Sequence, residues 1–178
     1  MGSIKIAGKN VITQSGSDEP ALATNVNINA SLAAATFPAG HIIQLVKFQF
    51  TDSDSETGAK WQDTPAVISI TPQFASSFIL VQLFAQCGVG NVQYDTNFSY
   101  RIYNTTETDT IYEGQINTST ANGYGYGRAG SSFGGLDISP NSGSNTYRFQ
   151  YGRNGGSGPI TFNPYGKQCV MIAMEIKQ

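Results

Sequence analysis

Residues 61–87, WQDTPAVISITPQFASSFILVQLFAQC, decide the fold. They read as two β-strands joined by a short link. In the first strand Ala66, Ile68 and Ile70 face one way and Ser69 and Thr71 the other, which is the two-residue period of a strand. The link holds Pro72, which has no N–H to give a ladder and so belongs in a connection. In the second strand Ile79, Val81, Leu83, Ala85 and Cys87 make an unbroken apolar face. Phe78, Leu80 and Phe84 on the opposite face predict a central strand covered on both sides. Nothing else in the chain is as apolar, so the core is expected to form around this stretch.

Outward from it the alternation continues. Upstream, Val46, Phe48 and Phe50 alternate with Lys47 and Gln49, and residues 52–60 read as a polar loop. Downstream, Gly88-Val89-Gly90-Asn91 reads as a turn, and Phe98, Tyr100 and Ile102 alternate with Ser99 and Arg101. Residues 104–109 turn the chain back as a hairpin. After a glycine-rich loop, Leu136 and Ile138 predict a short strand ending at Pro140. Tyr147, Phe149 and Tyr151 alternate with Arg148 and Gln150, Asn154-Gly155-Gly156 turns back to Ile160 and Phe162, and Val170, Ile172, Met174 and Ile176 close the series. Eight or nine strands at close turn spacing, with no helix, predict an all-β protein, a jelly-roll-like β-sandwich knob over residues 40–178.

Residues 1–39 differ. Ile4 and Ile6, Val11 and Ile12, and Val26 and Ile28 sit in short alternating pieces separated by Gly8, Gly16 and Pro20. These pieces hold too few large apolar side chains to bury a core of their own. They read as an extended N-terminal arm whose unpaired backbone groups suit strand addition to a neighbouring subunit or capsid protein. That makes those six residues candidates for anchoring.

Composition narrows the chemistry. The 178 residues are only 12% charged and carry a net charge of −2, which offers no electrostatic case for nucleic acid or an anionic membrane. No run of 18 apolar residues reads as a membrane span, and the first ten residues lack the order of a secretion signal. Two cysteines, Cys87 and Cys169, are no disulfide framework. They read as small buried apolar residues, with a bridge between them as the alternative. The single histidine, His41, has no nucleophile motif beside it, and no cofactor or zinc spacing is present. Asp52-Ser53-Asp54-Ser55-Glu56 approaches a calcium loop, but Gly58 falls one place late and flanking helices are missing. The segment Asn122-Gly123-Tyr124-Gly125-Tyr126-Gly127-Arg128-Ala129-Gly130 contains a G-x-G-x-x-G pattern outside any βαβ unit, so a dinucleotide site is not expected. Tyrosines spaced by glycines offer adaptable contact area. Tyr124, Tyr126 and Arg128 are therefore candidates for contact with another subunit or with a ligand.

Several of these pieces also carry a likeness. They are W-x-D-x-P at Trp61, Asp63 and Pro65, then I-x-I-T-P at Ile68–Pro72, then Ser76-Ser77 before an apolar strand. With them go Phe37-Pro38-Ala39-Gly40-His41-Ile42-Ile43-Gln44 and the closing strand from Cys169 to Ile176. Together they resemble small β-sandwich structural proteins of tailed bacteriophage virions, which occur as capsid decoration or cement proteins and as tail-fibre tip domains. The resemblance runs from about residue 36 onward. It implies a non-enzymatic virion protein, made in the cytoplasm of the bacterial host, that decorates or cements the capsid. It implies a homotrimer, with the major capsid protein or another virion protein as partner, and places His41 at the domain entrance in a structural role. The alternative it implies is a receptor-binding fibre tip recognising host-surface glycan. A glycan-active enzyme is a third reading, for which no carboxylate pair can be chosen from the sequence.

Overall fold

The computed structural model describes residues 38–56, 61–92, 96–118, 125–129, 132–154 and 159–178, with the strands at 2–6, 9–14 and 21–22. At those three strands, and at 56, 88–92, 96–97, 116–118 and 125–129, it describes the backbone alone. All regular structure among the described residues is β-strand. The chain divides into two compact units, Met1–Phe37 and Pro38–Gln178. In the first, β1 (Gly2–Ile6), β2 (Lys9–Gln14) and β3 (Ala21–Leu22) form an antiparallel sheet with β2 in the middle. Ile4 and Ile6 lie on β1, Val11 and Ile12 on β2, and Ile4 is the register partner of Ile12. Val26 and Ile28 lie outside the described residues.

The second unit is built from eight runs of strand. The first is β4 (Ile42–Phe50) with β5 (Asp54–Glu56), and the second is β6 (Gln62–Ile70). The third is β7 (Phe78–Phe84) with β8 (Cys87–Val92), followed by β9 (Thr96–Asn104) and β10 (Asp109–Thr118). The sixth is β11 (Gly125–Ala129) with β12 (Phe133–Asp137), and the seventh is β13 (Asn145–Arg153). The last is β14 (Ile160–Phe162) with β15 (Cys169–Ile176). One sheet has the order β10-β9-β13-β6. The other strands fall in the orders β12-β7-β15-β4 and β11-β8-β14-β5, which are the same order repeated along the same four runs. By run, the two layers read 6-3-8-1 and 5-4-7-2, with every pairing antiparallel. That is the strand order of a jelly roll, two interleaved Greek keys folded face to face.

The core lies between the layers. β6 contributes Ala66, Ile68 and Ile70, β7 contributes Ile79, Val81 and Leu83, and β15 contributes Met171 and Ala173, all at most 3% exposed. Aromatic rings join the two sheets at one side of the sandwich. Phe133 on β12 meets Tyr100 on β9 edge-on at 4.6 Å and Phe149 on β13 at 4.9 Å, and Phe149 lies 5.5 Å from Phe162 on β14. Gly135 on β12 lets the layers approach: a Cβ there would stand 2.8 Å from the Cβ of Tyr112.

Several expectations are corrected. The apolar face 79–87 is continuous in burial but not in hydrogen bonding, because residues 85–86 break the run between β7 and β8. Phe84 is 43% exposed rather than covered. Gly88-Val89-Gly90-Asn91 is strand, not turn, since β8 is paired by β14 on one side and β11 on the other. Residues 54–56 of the expected polar loop are β5, and 125–129 of the glycine-rich segment are β11. On β12 the buried face is Phe133, Gly135 and Asp137, so Leu136 and Ile138 point outward. A period-two pattern cannot tell which of its two faces looks inward when both carry apolar residues.

The outer faces of the two sheets differ. On the β12-β7-β15-β4 sheet, register places Leu136, Leu80, Met174 and Leu45 in one row across all four strands. In the next row Phe78, Ile176 and Ile42 stand together, with Ile138 following Asp137 beside Ile79. Ile42, Leu45, Leu136 and Ile138 are 43–65% exposed. The opposite sheet's outer face carries Asp63, Arg101, Arg148 and Gln150.

Candidate functional site

That polar face is organised by the W-x-D-x-P motif. Pro65 sits where the β6–β13 register shifts, so its missing N–H falls in a bulge rather than in a regular ladder. Thr64 turns inward there. Its hydroxyl donates to the Phe149 carbonyl at 2.7 Å and accepts from the Ala66 N–H at 3.2 Å, repairing the ladder locally. The bulge leaves Asp63 facing outward. One of its carboxylate oxygens accepts from Gln150 Nε2 at 2.6 Å and the other from an Arg148 guanidinium nitrogen.

From Gln150 the network crosses to β9. Arg101 Nε donates to Gln150 Oε1 at 2.6 Å, and Arg101 Nη1 donates to Thr110 Oγ1 on β10 at 3.2 Å. The guanidinium of Arg101 lies between two rings, 4.6 Å from the centroid of Trp61 and 4.4 Å from that of Tyr103. Trp61 holds its place with φ at 127°, a region ordinarily left to glycine. The partly exposed Arg148–Asp63 pair contributes up to about 1 kcal/mol of stability. Each ring–guanidinium contact contributes about 0.5–1 kcal/mol. The Nε of Arg148 is buried without a hydrogen-bond partner. The result is a platform of two aromatic rings, two guanidinium groups and one carboxylate, spread across β6, β13 and β9.

Two buried polar clusters tie down one end of the sandwich. Glu175 on β15, 0% exposed, faces the core side. Its carboxylate accepts from Ser77 Oγ at 2.6 Å, Gln44 Nε2 at 2.8 Å, Gln73 N at 2.9 Å and Phe74 N at 3.0 Å. It thereby gathers the 71–77 link, and Lys177 closes over the ring of Phe74 at 5.1 Å. Nearby, Asp137 accepts from Tyr147 Oη at 2.7 Å, Ser139 N at 3.1 Å and Asn104 Nδ2 at 3.3 Å. Asn104 Nδ2 also reaches Glu107 at 3.2 Å, so two carboxylates share one amide, a proximity that no sequence spacing announces. Burial, then the hydrogen bond to Asp137 and the charges of Asp137 and Glu107, push the Tyr147 hydroxyl far above its usual range. It is therefore a fixed donor. At this end the 38–41 turn is hooked to β15, with Gly40 N donating to the Lys177 carbonyl at 2.7 Å and Lys177 N to the His41 carbonyl at 2.9 Å.

Of the residues singled out from sequence, Tyr126 and Arg128 lie on β11, described by its backbone alone, and Tyr124 lies outside the described residues. Cys87 and Cys169 are buried free thiols. Burial raises both pKa values, and in Cys87 the neighbouring Cys169 adds to the effect. Asp54 in the calcium-like segment accepts from the Ser55 N–H, and no group of three or more metal-ligating side chains occurs among the described residues. Trp61 and Asp63 stand in the sequence motif, whereas Arg101, Arg148 and Gln150 read only as strand alternation and Tyr103 carries no sequence reading of its own. The signal for them was the outward face of two strands, each with an arginine two residues from an aromatic or amide side chain.

The class that this architecture defines is the eight-run jelly roll. No protein-family model matches the chain, and no curated protein matches it. Among solved structures, dimeric latent PorU from Porphyromonas gingivalis aligns at 8% identity and TM-score 0.35, over 80% of this chain and 14% of that one. The D431N mutant VP2 protein of infectious bursal disease virus, from derived T=1 particles, aligns at 13% identity and TM-score 0.32, over 93% and 41%. The T13 particle of the same virus gives 12% identity and TM-score 0.32, over 94% and 40%. The chain thus spans less than half of each of these proteins, and likenesses at such scores carry no inference about partners or activity.

Proposed function

We propose that this chain is a structural protein of a bacteriophage virion, non-enzymatic, that decorates or cements the capsid as a trimer bound to the major capsid protein. The observation that carries this reading is the strand order, 6-3-8-1 over 5-4-7-2, an architecture that recurs in viral capsid domains. A fold alone does not choose a function. The motif residues on which the resemblance rests also have physical roles in this fold: Pro65 sits in the bulge that exposes Asp63, and Ser77 donates to buried Glu175. The test is labelling of purified particles of the encoding phage with antibody against the chain. Regular labelling of the head supports the reading, and particles without the protein overturn it.

A second reading, recognition of host-surface glycan, is favoured by the Trp61–Arg101–Tyr103 platform. Trp61 is the only tryptophan, so its fluorescence reports on this face directly. Titration with host-surface polysaccharide should give a saturable change that Tyr103→Ala abolishes. A flat signal up to millimolar sugar eliminates this reading.

A further inference from the structure

The second unit shows one polar outer face and one apolar outer face, and only the polar one is suited to water. On the β12-β7-β15-β4 sheet the two rows through Leu80 and Phe78 hold no polar side chain from one edge strand to the other. Within these rows the most exposed residues are at the two margins, Ile42 and Leu45 on β4, Leu136 on β12 and Ile138 just beyond it, at 43–65%. We propose that this face is the surface through which two copies of the chain associate, sheet against sheet.

The charge pattern of this face suits a second copy of the chain. Among the described residues the only charged side chain on this face is Lys47, opposite Ile172 and beyond the apolar rows. A face with no carboxylate and one marginal lysine offers nothing for a charged partner to read, and two such faces meet without opposed like charges at their centre. Depletion of charge at the centre of a contact is what distinguishes interface cores. Closed symmetry lets the same patch serve both subunits, and two sheets of equal twist pack at about 10 Å with interdigitated side chains. Four strands of some seven residues span on the order of 400 Å² in projection. Side-chain relief brings the accessible area towards the roughly 800 Å² that each partner gives a standard interface. This proposal rests on the sheet face alone and stands apart from the virion reading.

Sedimentation velocity of the full chain from about 1 to 100 μM tests it, beside Leu45→Glu, Leu136→Glu and, on the other sheet, Gln115→Glu. The expected result is a wild type that self-associates, with at least tenfold weaker association in both leucine variants and none lost in Gln115→Glu. A wild type that stays monomeric overturns the proposal, as do folded leucine variants that associate like wild type. Should both variants unfold, hydrogen exchange of the wild type at the two concentrations decides. Slowing confined to β4, β7, β12 and β15 at the higher concentration supports the interface, and identical exchange refutes it.

Discussion

Glu175 shows how one side chain can hold a connection in place. A buried carboxylate is costly unless its oxygens are satisfied, and here two backbone N–H groups, a hydroxyl and an amide all point at it. Glu175→Gln keeps the shape but turns an NH₂ towards groups that donate. We expect a loss of about 2–4 kcal/mol, seen by calorimetry as a midpoint lower by roughly 5–10 °C. Tyr147 makes a complementary case. Its folded pKa lies above the unfolded value of about 10, so the neutral hydroxyl is favoured by folding. The stability this contributes is complete below about pH 10 and declines as pH rises beyond it. Cys87, raised in the same sense by burial, adds a decline that begins above about pH 8.5. Urea midpoints measured from pH 7 to 11 should therefore fall on the alkaline side. Tyr147→Phe should cost about 1–3 kcal/mol at pH 7 by stripping a donor from buried Asp137, and should flatten the part of the fall above pH 10.

Among the elements, β12 is sensitive to size. A methyl group at Gly135 would meet the Tyr112 Cβ at 2.8 Å, a contact between the two layers that neither backbone can relieve alone. Gly135→Ala should destabilise by about 1–3 kcal/mol, measurable as a lower urea midpoint with an unchanged slope. The same strand shows where sequence reading stops. Leu136 on it and Ile138 just beyond it face outward, while Phe133, Gly135 and Asp137 face in. The long strands were legible because their inward residues are large and regularly spaced, as in 66–70, 79–83 and 147–151. Part of the platform was legible too, since Trp61 and Asp63 stand in one short motif. Arg101, Tyr103, Arg148 and Gln150 were not, because they join that motif only through cross-strand register between segments far apart in the chain. Register is set by which faces bury together, and no local pattern states it.

At the scale of the whole molecule, each layer is completed late. β15 is flanked by β4 and β7, and β13 by β6 and β9. Both are central strands that come after most of their neighbours in the chain. Sheets dominated by such distant pairings fold on the millisecond-to-second scale. Stopped-flow refolding followed by Trp61 fluorescence is expected in that range, and a microsecond phase carrying the full amplitude would contradict it. The same topology bears on biosynthesis. While the chain is being translated, β4 and β7 wait as unjoined edges, with the apolar rows of their outer faces in solvent. The 5-4-7-2 layer cannot close until Arg153 has cleared the ribosome, nor the 6-3-8-1 layer until Ile176 has. The vulnerable interval is thus the time spent on the ribosome, and holdase chaperones that shield nascent strands should determine yield more than native stability does.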